Sequence, residues 1–315
     1  MSRSRVLSLV VGGLLGGSAV LAPGAGAAPS SCQVHELPVP EGSTDAHFRG
    51  ASNDGRTLLG EAISGQRTVP VLWRDGRIVG RIDDAPGPLL DLNAPGAGVG
   101  SGSRPWVYEN GRVRELPGGA NPLALNDAGQ LAGTRSEESG ATVPVTWPAG
   151  ADRPVDLPGG PGKARDISQD GTIVGEAGTD PAPHVWRPDG TSAPLPMPPE
   201  VPANVQVVQV SGPWVVGAAP DGTLVRWNLD SGSAEVTPNA VVGGHTGVNE
   251  RGWTLGSQDG GTQAVVFADG QVLRLPGLPE FPTHYADSIS ADGTVIGGTA
   301  STSKGPSKPV YWTCS

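Results

Sequence analysis

The sequence is poor in positive charge and, beyond its first 30 residues, in long hydrophobic runs. Each shortage excludes a class of protein. Its 21 Lys and Arg residues stand against 31 Asp and Glu residues, giving a formal net charge of −10. Such a charge repels nucleic acids and anionic lipids, so we expect neither as a partner. No segment beyond the first 30 residues repeats its apolar residues with a helical period. The sequence therefore predicts an all-β protein that does not insert into a membrane.

Residues 1–28 have the pattern of a secretory signal peptide. Arg3 and Arg5 precede a glycine-rich apolar stretch over 6–21, and small residues typical of a cleavage site follow at 25–27. This stretch is shorter than the roughly 20 strongly apolar residues that a membrane span requires, although an anchor is the alternative. We therefore predict a secreted, extracellular protein whose single mature domain covers residues 29–315.

A tight turn recurs along the mature chain, and a short β-rich run precedes and follows it. Its Asn, Asp, Ser and Gly residues bond their own backbone and accept left-handed conformations, as hairpin turns require. The run after the turn stops at a glycine, as in Thr172-Ile173-Val174-Gly175. The turns begin at Ser52, Asn93, Asn126, Ser168, Ser211, Asn249 and Ser290, and the one at Ser211 is shortened.

A second element, Pro-x-x-aromatic, follows each turn and is itself followed by an Asp-Gly-type hairpin and a run ending near Leu-Pro. Its aromatic residues are Trp73, Tyr108, Trp147, Trp186, Trp227, Phe267 and Trp312, with the proline missing before Trp227 and Phe267. A period of about 40 residues with four short strands is typical of a β-propeller blade. The predicted units cover about 39–80, 81–117, 118–158, 159–197, 198–238, 239–277 and 278–314.

The two ends of the chain complement each other. Segment 32–38 resembles a fourth strand without its first three, and the last unit stops after a third strand. Joining them gives a seven-bladed β-propeller of four-stranded blades, closed by the N-terminal strand in the last blade. Cys32 and Cys314 then occupy the hairpin position, and we expect them to form a disulfide in the oxidising compartment. The alternatives are an open solenoid, six or eight blades, or two free thiols.

The turn motif Asn/Ser-x-Asp-Gly-x-Val-x-Gly and the Trp-x-Asp-Gly element resemble the HAF-type extracellular repeat family over most of residues 50–312. In place of that family's His-Ala-Phe triplet, the nearest segment is His184-Val185-Trp186. The resemblance implies an exported bacterial β-propeller and no defined activity.

Motif searches give no catalytic or metal site and no cofactor. The sequence lacks a Gly-x-Ser-x-Gly elbow, a His-Glu-x-x-His motif and an EF-hand loop. Sialidase Asp boxes do not fit, because the turns at Ser168 and Ser290 are one residue too short. A tryptophan that recurs in most units is expected to pack adjacent blades together. Trp214 and Trp253 depart from the repeat and are candidates for exposed contacts.

Three histidines give the most suggestive cluster, since each precedes a turn in units that a closed ring makes neighbours. They are His47, His245 and His284, with Asp45, Arg49, Tyr285 and Asp287 nearby in sequence. Imidazoles with carboxylates could bind a metal or transfer protons, although scattered loop residues are the plainer interpretation.

These observations favour a non-catalytic, monomeric scaffold that binds a protein or glycan through its inter-blade loops. The longest predicted loops cover 38–48, 196–205, 276–286 and 298–309, which points to a patch near the closing blade. The alternative is an extracellular carbohydrate-active lyase or hydrolase that uses the histidine sector. A purely structural envelope component is the third possibility.

Overall fold

The computed structural model describes residues 28–202, 204–241, 246–302, 305 and 307–315, so the predicted signal peptide lies almost wholly outside the described residues. The chain forms seven blades of antiparallel strands arranged in a ring, which is a β-propeller. The predicted fold class, the number of blades and the closure of the ring are confirmed. In the described part of the chain, no helix is long and apolar enough to cross a membrane.

The strands are numbered in chain order. Blade 1 contains β2 (Asp45–Ala51), β3 (Thr57–Ser64), β4 (Arg67–Arg74) and β5 (Arg77–Arg81). Blade 2 contains β6 (Leu89–Leu92), β7 (Gly98–Gly100), β8 (Trp106–Glu109) and β9 (Arg112–Glu115). Blade 3 contains β10 (Ala120–Leu125), β11 (Leu131–Ser136), β12 (Thr142–Trp147) and β13 (Val155–Asp156). Blade 4 contains β14 (Gly162–Ile167), β15 (Ile173–Ala177), β16 (Ala182–Trp186) and β17 (Ser192–Pro194).

Blade 5 contains β18 (Gln206–Ser211), β19 (Trp214–Ala218), β20 (Thr223–Asn228) and β21 (Ser233–Val241). Blade 6 contains β22 (Thr254–Gln258), a 3₁₀ turn (Asp259–Gly261), β23 (Gln263–Ala268) and β24 (Gln271–Arg274). The inner edge of blade 6 is a bridge between Val248 and Thr254, and Val241 pairs with Ser257 to join blades 5 and 6. Blade 7 contains β25 (Thr283–Ile289), β26 (Val295–Ser301), β27 (Ser307–Cys314) and β1 (Cys32–Glu36).

The ring is closed by the N-terminal strand and a disulfide. β1 is the outer strand of blade 7 and pairs antiparallel with β27, with Cys32 opposite Cys314. The two cysteines form a disulfide across a sequence separation of 282, and their Cα atoms lie 4.1 Å apart. The predicted disulfide is therefore confirmed at the position where other blades have a hairpin turn.

Strand direction divides the connections between two faces of the ring. The turn face carries the connections from first to second strand and from third to fourth strand of each blade. The loop face carries the second-to-third connections and the links between blades. On the turn face the predicted tight turns are present, and their glycines adopt the left-handed conformation, with φ of 69° at Gly55 and 75° at Gly293.

The recurring tryptophans pack between blades, as predicted. Trp73, Trp147, Trp227 and Trp312 have no exposed surface and Trp186 is 3% exposed. In most blades the indole N–H donates to the proline carbonyl of the preceding Leu-Pro segment, so this motif supplies an acceptor at the blade interface. The pairs are Trp73 with Pro38, Trp186 with Pro158, Trp227 with Pro196 and Trp312 with Pro276.

The inner strands carry a β-bulge three residues before the turn, which explains the glycine inside the second strand; this strand continues beyond the glycine at which the sequence run was expected to stop. In blade 4 the register shifts between Ala164 and Asp166. A Cβ on Gly175 would lie only 1.9 Å from the carbonyl oxygen of Lys163, so only glycine fits there. The bulge also turns the next side chain, Asp166 in blade 4, toward the central channel, whose lining includes it.

Candidate functional site

The longest connections between strands lie on the loop face. They are the links between blades over 37–44, 195–205 and 275–282, whereas the turn face mostly has tight turns. The four predicted long loops correspond to links between blades or to a second-to-third connection, which lie on this face. Three of them are shorter than predicted, because strands take up part of 38–48, 276–286 and 298–309. At the junction of blades 7 and 1, Ser307 and Asp45, which belong to two of these predicted loops, contact each other.

A polar cluster joins these two blades. Ser307, at the start of β27, donates through its backbone N–H and its hydroxyl to Asp45 Oδ1 of β2, at 3.3 and 3.2 Å. The same hydroxyl lies 2.9 Å from His47 Nδ1, and His47 Nε2 lies 3.5 Å from Asp45 Oδ2. The imidazole is 37% exposed, so it is held by neighbours yet accessible. The three residue types of a hydrolytic triad thus meet here, but the serine bonds the carboxylate directly.

Arg49 extends this surface toward blade 2. Its guanidinium is 54% exposed and donates from Nη2 to Glu61 Oε2 at 2.8 Å, while the Glu61 side chain is buried. A groove of about 550 Å³ opens beside this pair, with Pro88 and Leu90 of blade 2 on its other wall. His47 and Arg49 therefore present hydrogen-bond donors at one region of the loop face.

His284 does not join His47. It is 4% exposed, and its Nε2 lies 2.9 Å from the carbonyl oxygen of Leu275 and 2.9 Å from Gln263 Nε2, both in blade 6. Burial lowers the pKa of this imidazole. His284 therefore contacts blade 6, whereas His47 contacts Ser307 of blade 7.

Three predicted candidates of the histidine sector remain. His245 lies outside the described residues, and Tyr285 and Asp287 lie on β25, with Asp287 at its bulge. Among the described residues, no group of three or more His, Cys, Asp or Glu side chains could hold a metal ion.

Trp214 and Trp253 fill space between neighbouring turns instead of standing free. Trp253 is 3% exposed, and a Cβ on Gly293 of the next blade would lie 2.3 Å from its ring. Trp214 packs in the same way on Gly252, at 2.5 Å, and Arg226 stacks over its outer face at 4.7 Å. The expectation of an exposed ring is corrected for Trp253, because the turn glycine of the next blade leaves room for the indole to enter the interface.

Two aspartates in the central channel were not singled out from the sequence. Asp91 accepts the N–H groups of Leu92 and, in the next blade, Leu125. Asp166 accepts its own strand's Ile167 N–H and that of Val210 in the next blade. They border a channel cavity of about 50 Å³, room for a few water molecules.

Burial is the main cause of a raised pKa in both channel aspartates. It raises the pKa of Asp91 to about 6, and burial together with the charge of Asp91 raises the pKa of Asp166 to about 7. The sequence contains a signal for these two positions. Each aspartate lies two residues before the first residue of a tight turn, and at the same position blade 5 has the neutral Gln209. Gln209 Oε1 accepts the N–H of Val248 in the same way.

Solved structures with the same fold include proteins of different activities. The WD40 repeats of RRP9 share 12% identity with a TM-score of 0.57, over 90% of this chain and 97% of that chain. A catalytically inactive virginiamycin B lyase from Staphylococcus aureus with quinupristin shares 14% identity with a TM-score of 0.55, over 90% and 99%. An oligogalacturonate lyase from Vibrio parahaemolyticus shares 11% identity with a TM-score of 0.58, over 90% and 97%.

These similarities define the chain as a β-propeller protein and, at such identities, show the fold alone. No protein-family model matches the chain, and a search of curated proteins also gives no match.

Proposed function

We propose that the protein is a secreted scaffold that binds a protein or glycan ligand on the loop face, at the junction of blades 7 and 1. One observation carries this proposal: the long connections share that face, and at the junction Ser307 of one blade is hydrogen-bonded to Asp45 and His47 of the next. A ligand surface built on rigid strands and held across an interface loses little conformational entropy on binding.

Several features support this function. His47 and Arg49 keep 37% and 54% of their side chains exposed, so they can donate hydrogen bonds to a ligand. The disulfide fits an oxidising compartment, as do the signal-peptide pattern and the resemblance to HAF-type repeats. A propeller of similar fold has been solved with quinupristin, so this architecture can hold a ligand.

A carbohydrate-active lyase or hydrolase is the second candidate, and the Asp45–His47–Ser307 cluster favours it. An accessible imidazole beside a carboxylate can accept or donate a proton near neutral pH. Oligogalacturonate lyases are among the solved propellers with this fold. In this function His47 would work with Asp45, since His284 is enclosed between blades 6 and 7.

The test is thermal unfolding of residues 29–315 with a panel of glycans and divalent metals. A ligand at 100 times its Kd stabilises the native state by about 2.7 kcal/mol, which shifts the midpoint by several degrees. His47→Ala should remove the shift, whereas His35→Ala, on the outer strand of blade 7, should keep it. A shift that survives both His47→Ala and Arg49→Ala would contradict the proposed surface.

Product analysis of the same mixtures separates the two candidates. Glycan cleavage that is lost in His47→Ala would favour the enzyme. Binding without turnover would favour the scaffold. If no glycan or metal shifts the midpoint, the glycan arm of the proposal fails and a protein ligand is the remaining form of it.

A further inference from the structure

Blade 2 departs from the repeat in how it fills its core. In the other blades the aromatic residue of Pro-x-x-aromatic is buried, but blade 2 has Tyr108 at that position and an additional Trp106 two residues earlier. Trp106 is fully buried, and its indole N–H donates to the carbonyl oxygen of Ser101 at 3.1 Å. A Cβ on Gly100 would lie 2.2 Å from the Trp106 ring, so the indole occupies the space above that glycine. Trp106 therefore supplies the fully buried aromatic, and Tyr108 is displaced to the edge of the same core, where it is partly buried.

The displaced Tyr108 lines a cleft on the turn face. The cleft has a volume of about 470 Å³ and extends from blade 1 across blade 2 to the first turn of blade 3. Its apolar wall includes Val79, which is 55% exposed. Polar groups of Arg74, Asn110 and Asp127 border the same space. This volume lies in the range of small-molecule sites, which combine apolar walls with a few polar groups.

Two polar groups at the cleft are left for a ligand. Within the described residues, the hydroxyl of Tyr108 has no hydrogen-bond partner. In the same part of the chain Arg74 has no carboxylate within ion-pair distance, and its Nη2 donates to the hydroxyl of Thr57 at 3.0 Å. A guanidinium carries five N–H donors, so most of the donors of Arg74 remain available.

The combination matches the chemistry of a sugar ring. A pyranose has an apolar face of C–H groups that packs on an aromatic ring, and hydroxyls that pair with planar guanidinium, amide and carboxylate groups. The carboxylates of Glu109 and Asp127 border the cleft and would repel an anionic sugar. We propose that this cleft binds a neutral oligosaccharide, with one pyranose ring against Tyr108. The site is separate from the loop-face surface, because it lies on the opposite face of the ring.

The experiment is isothermal titration of residues 29–315 with cellohexaose, xylohexaose, maltohexaose and, as the anionic comparison, hexagalacturonate. We expect one of the neutral hexasaccharides to bind and hexagalacturonate to bind at least about tenfold more weakly. Tyr108→Ala should weaken the neutral ligand by roughly tenfold or more, because it removes the stacking surface. Tyr108→Phe keeps the ring and should weaken it by only about two- to fivefold, for the lost hydroxyl.

A matched pair of surface variants keeps the test independent of folding. Val79→Glu places a charge in the cleft and should abolish binding. Val272→Glu makes the same change at a 46% exposed position on the outer strand of blade 6 and should leave the affinity unchanged. No binding by any neutral hexasaccharide, tighter binding of hexagalacturonate, or equal effects of Val79→Glu and Val272→Glu would each overturn the proposal.

Discussion

The two channel aspartates should make the protein less stable at alkaline than at mildly acidic pH. Their folded-state pKa values are about 6 for Asp91 and about 7 for Asp166, against the ordinary aspartate value of 3.8. Between about pH 4 and pH 7 the folded protein therefore holds more protons than the unfolded chain. The free energy of unfolding then falls as the pH rises through this window, and the loss is complete above about pH 7.

The magnitude follows from the size of the two shifts. At about 1.4 kcal/mol per pKa unit, ionisation costs about 3 kcal/mol at Asp91 and about 4 kcal/mol at Asp166. The sum overstates the total, because the charge of Asp91 is itself one cause of the shift at Asp166. Both residues are also only half-buried. Between pH 5 and pH 8 the pKa values allow about 1.4 kcal/mol at Asp91 and about 2.7 kcal/mol at Asp166, so we expect a combined loss of roughly 2 to 4 kcal/mol.

Replacing the carboxylates by amides isolates this effect. Asp91→Asn and Asp166→Asn remove the charge and keep an oxygen for one of the two backbone N–H groups, as Gln209 Oε1 accepts that of Val248 in blade 5. The second N–H group, which donates to the other carboxylate oxygen in the wild type, then faces the amide NH2. That loss of an acceptor costs about the same at both pH values, so each variant, relative to the wild type, should be roughly 1 to 3 kcal/mol more stable at pH 8 than at pH 5. In the double variant this difference should be smaller than the sum of the two, since removing either charge already relieves the other. The measurement is urea unfolding of the wild type and the three variants at both pH values.

A turn aspartate provides a control of opposite sign. Burial alone would raise the pKa of Asp292, but hydrogen bonds from Thr294 and Ser290 outweigh it and hold the pKa below its usual value. Asp292→Asn should therefore lose stability at pH 8. If Asp91→Asn and Asp166→Asn change the stability equally at both pH values, or are more destabilising at pH 8 than at pH 5, the account of the channel is refuted.

Three further predictions concern packing and closure, and each is measured by denaturant unfolding. Gly293→Ala should lower the free energy of unfolding by more than about 3 kcal/mol, because its Cβ would lie 2.3 Å from an indole. Gly270→Ala is also at positive φ but has open space around it, so it should lower the free energy of unfolding by about 1 kcal/mol. Trp186→Phe should cost about 1 kcal/mol more than Trp147→Phe, since within the described residues the Trp147 N–H has no partner. Reducing the disulfide should cost up to about 5 kcal/mol, given its loop of 282 residues. Equal effects within either variant pair, or no loss on reduction, would contradict the packing and closure described.

The features that the sequence predicted well are those written within a single repeat. The turns that begin at Ser52 or Ser290 need hydrogen-bonding and left-handed residues, and those requirements show directly as residue types. The disulfide was predictable because Cys32 and Cys314 replace a hairpin found in the other blades. Blade count and closure followed from the same pattern.

The features that it missed depend on lateral contacts between blades. Nothing in the neighbourhood of His284 indicates that its ring enters blade 6, or that Trp253 is covered by the turn of blade 7. From the sequence, the Leu-Pro motif indicates only the end of a strand. In the structure its proline carbonyl accepts a hydrogen bond from an indole N–H of the next blade. Period and turn chemistry do not encode which side chain fills a given interface.

Residues that follow the repeat and residues that depart from it call for different explanations. The tryptophan of the Pro-x-x-aromatic position, present in five blades, is buried between blades. Packing explains its presence, so no functional role is needed. Asp91 and Asp166 are different, because in blade 5 a neutral amide accepts the equivalent N–H group of the next blade without the cost of ionisation. Tyr108 is different too, since Trp106 takes the fully buried position in blade 2 and Tyr108 packs only at the edge of that core. Another blade of the same chain fills each of these positions with a residue that costs less stability. Stability therefore does not explain why these residues differ from the repeat, and function should be sought at these positions first.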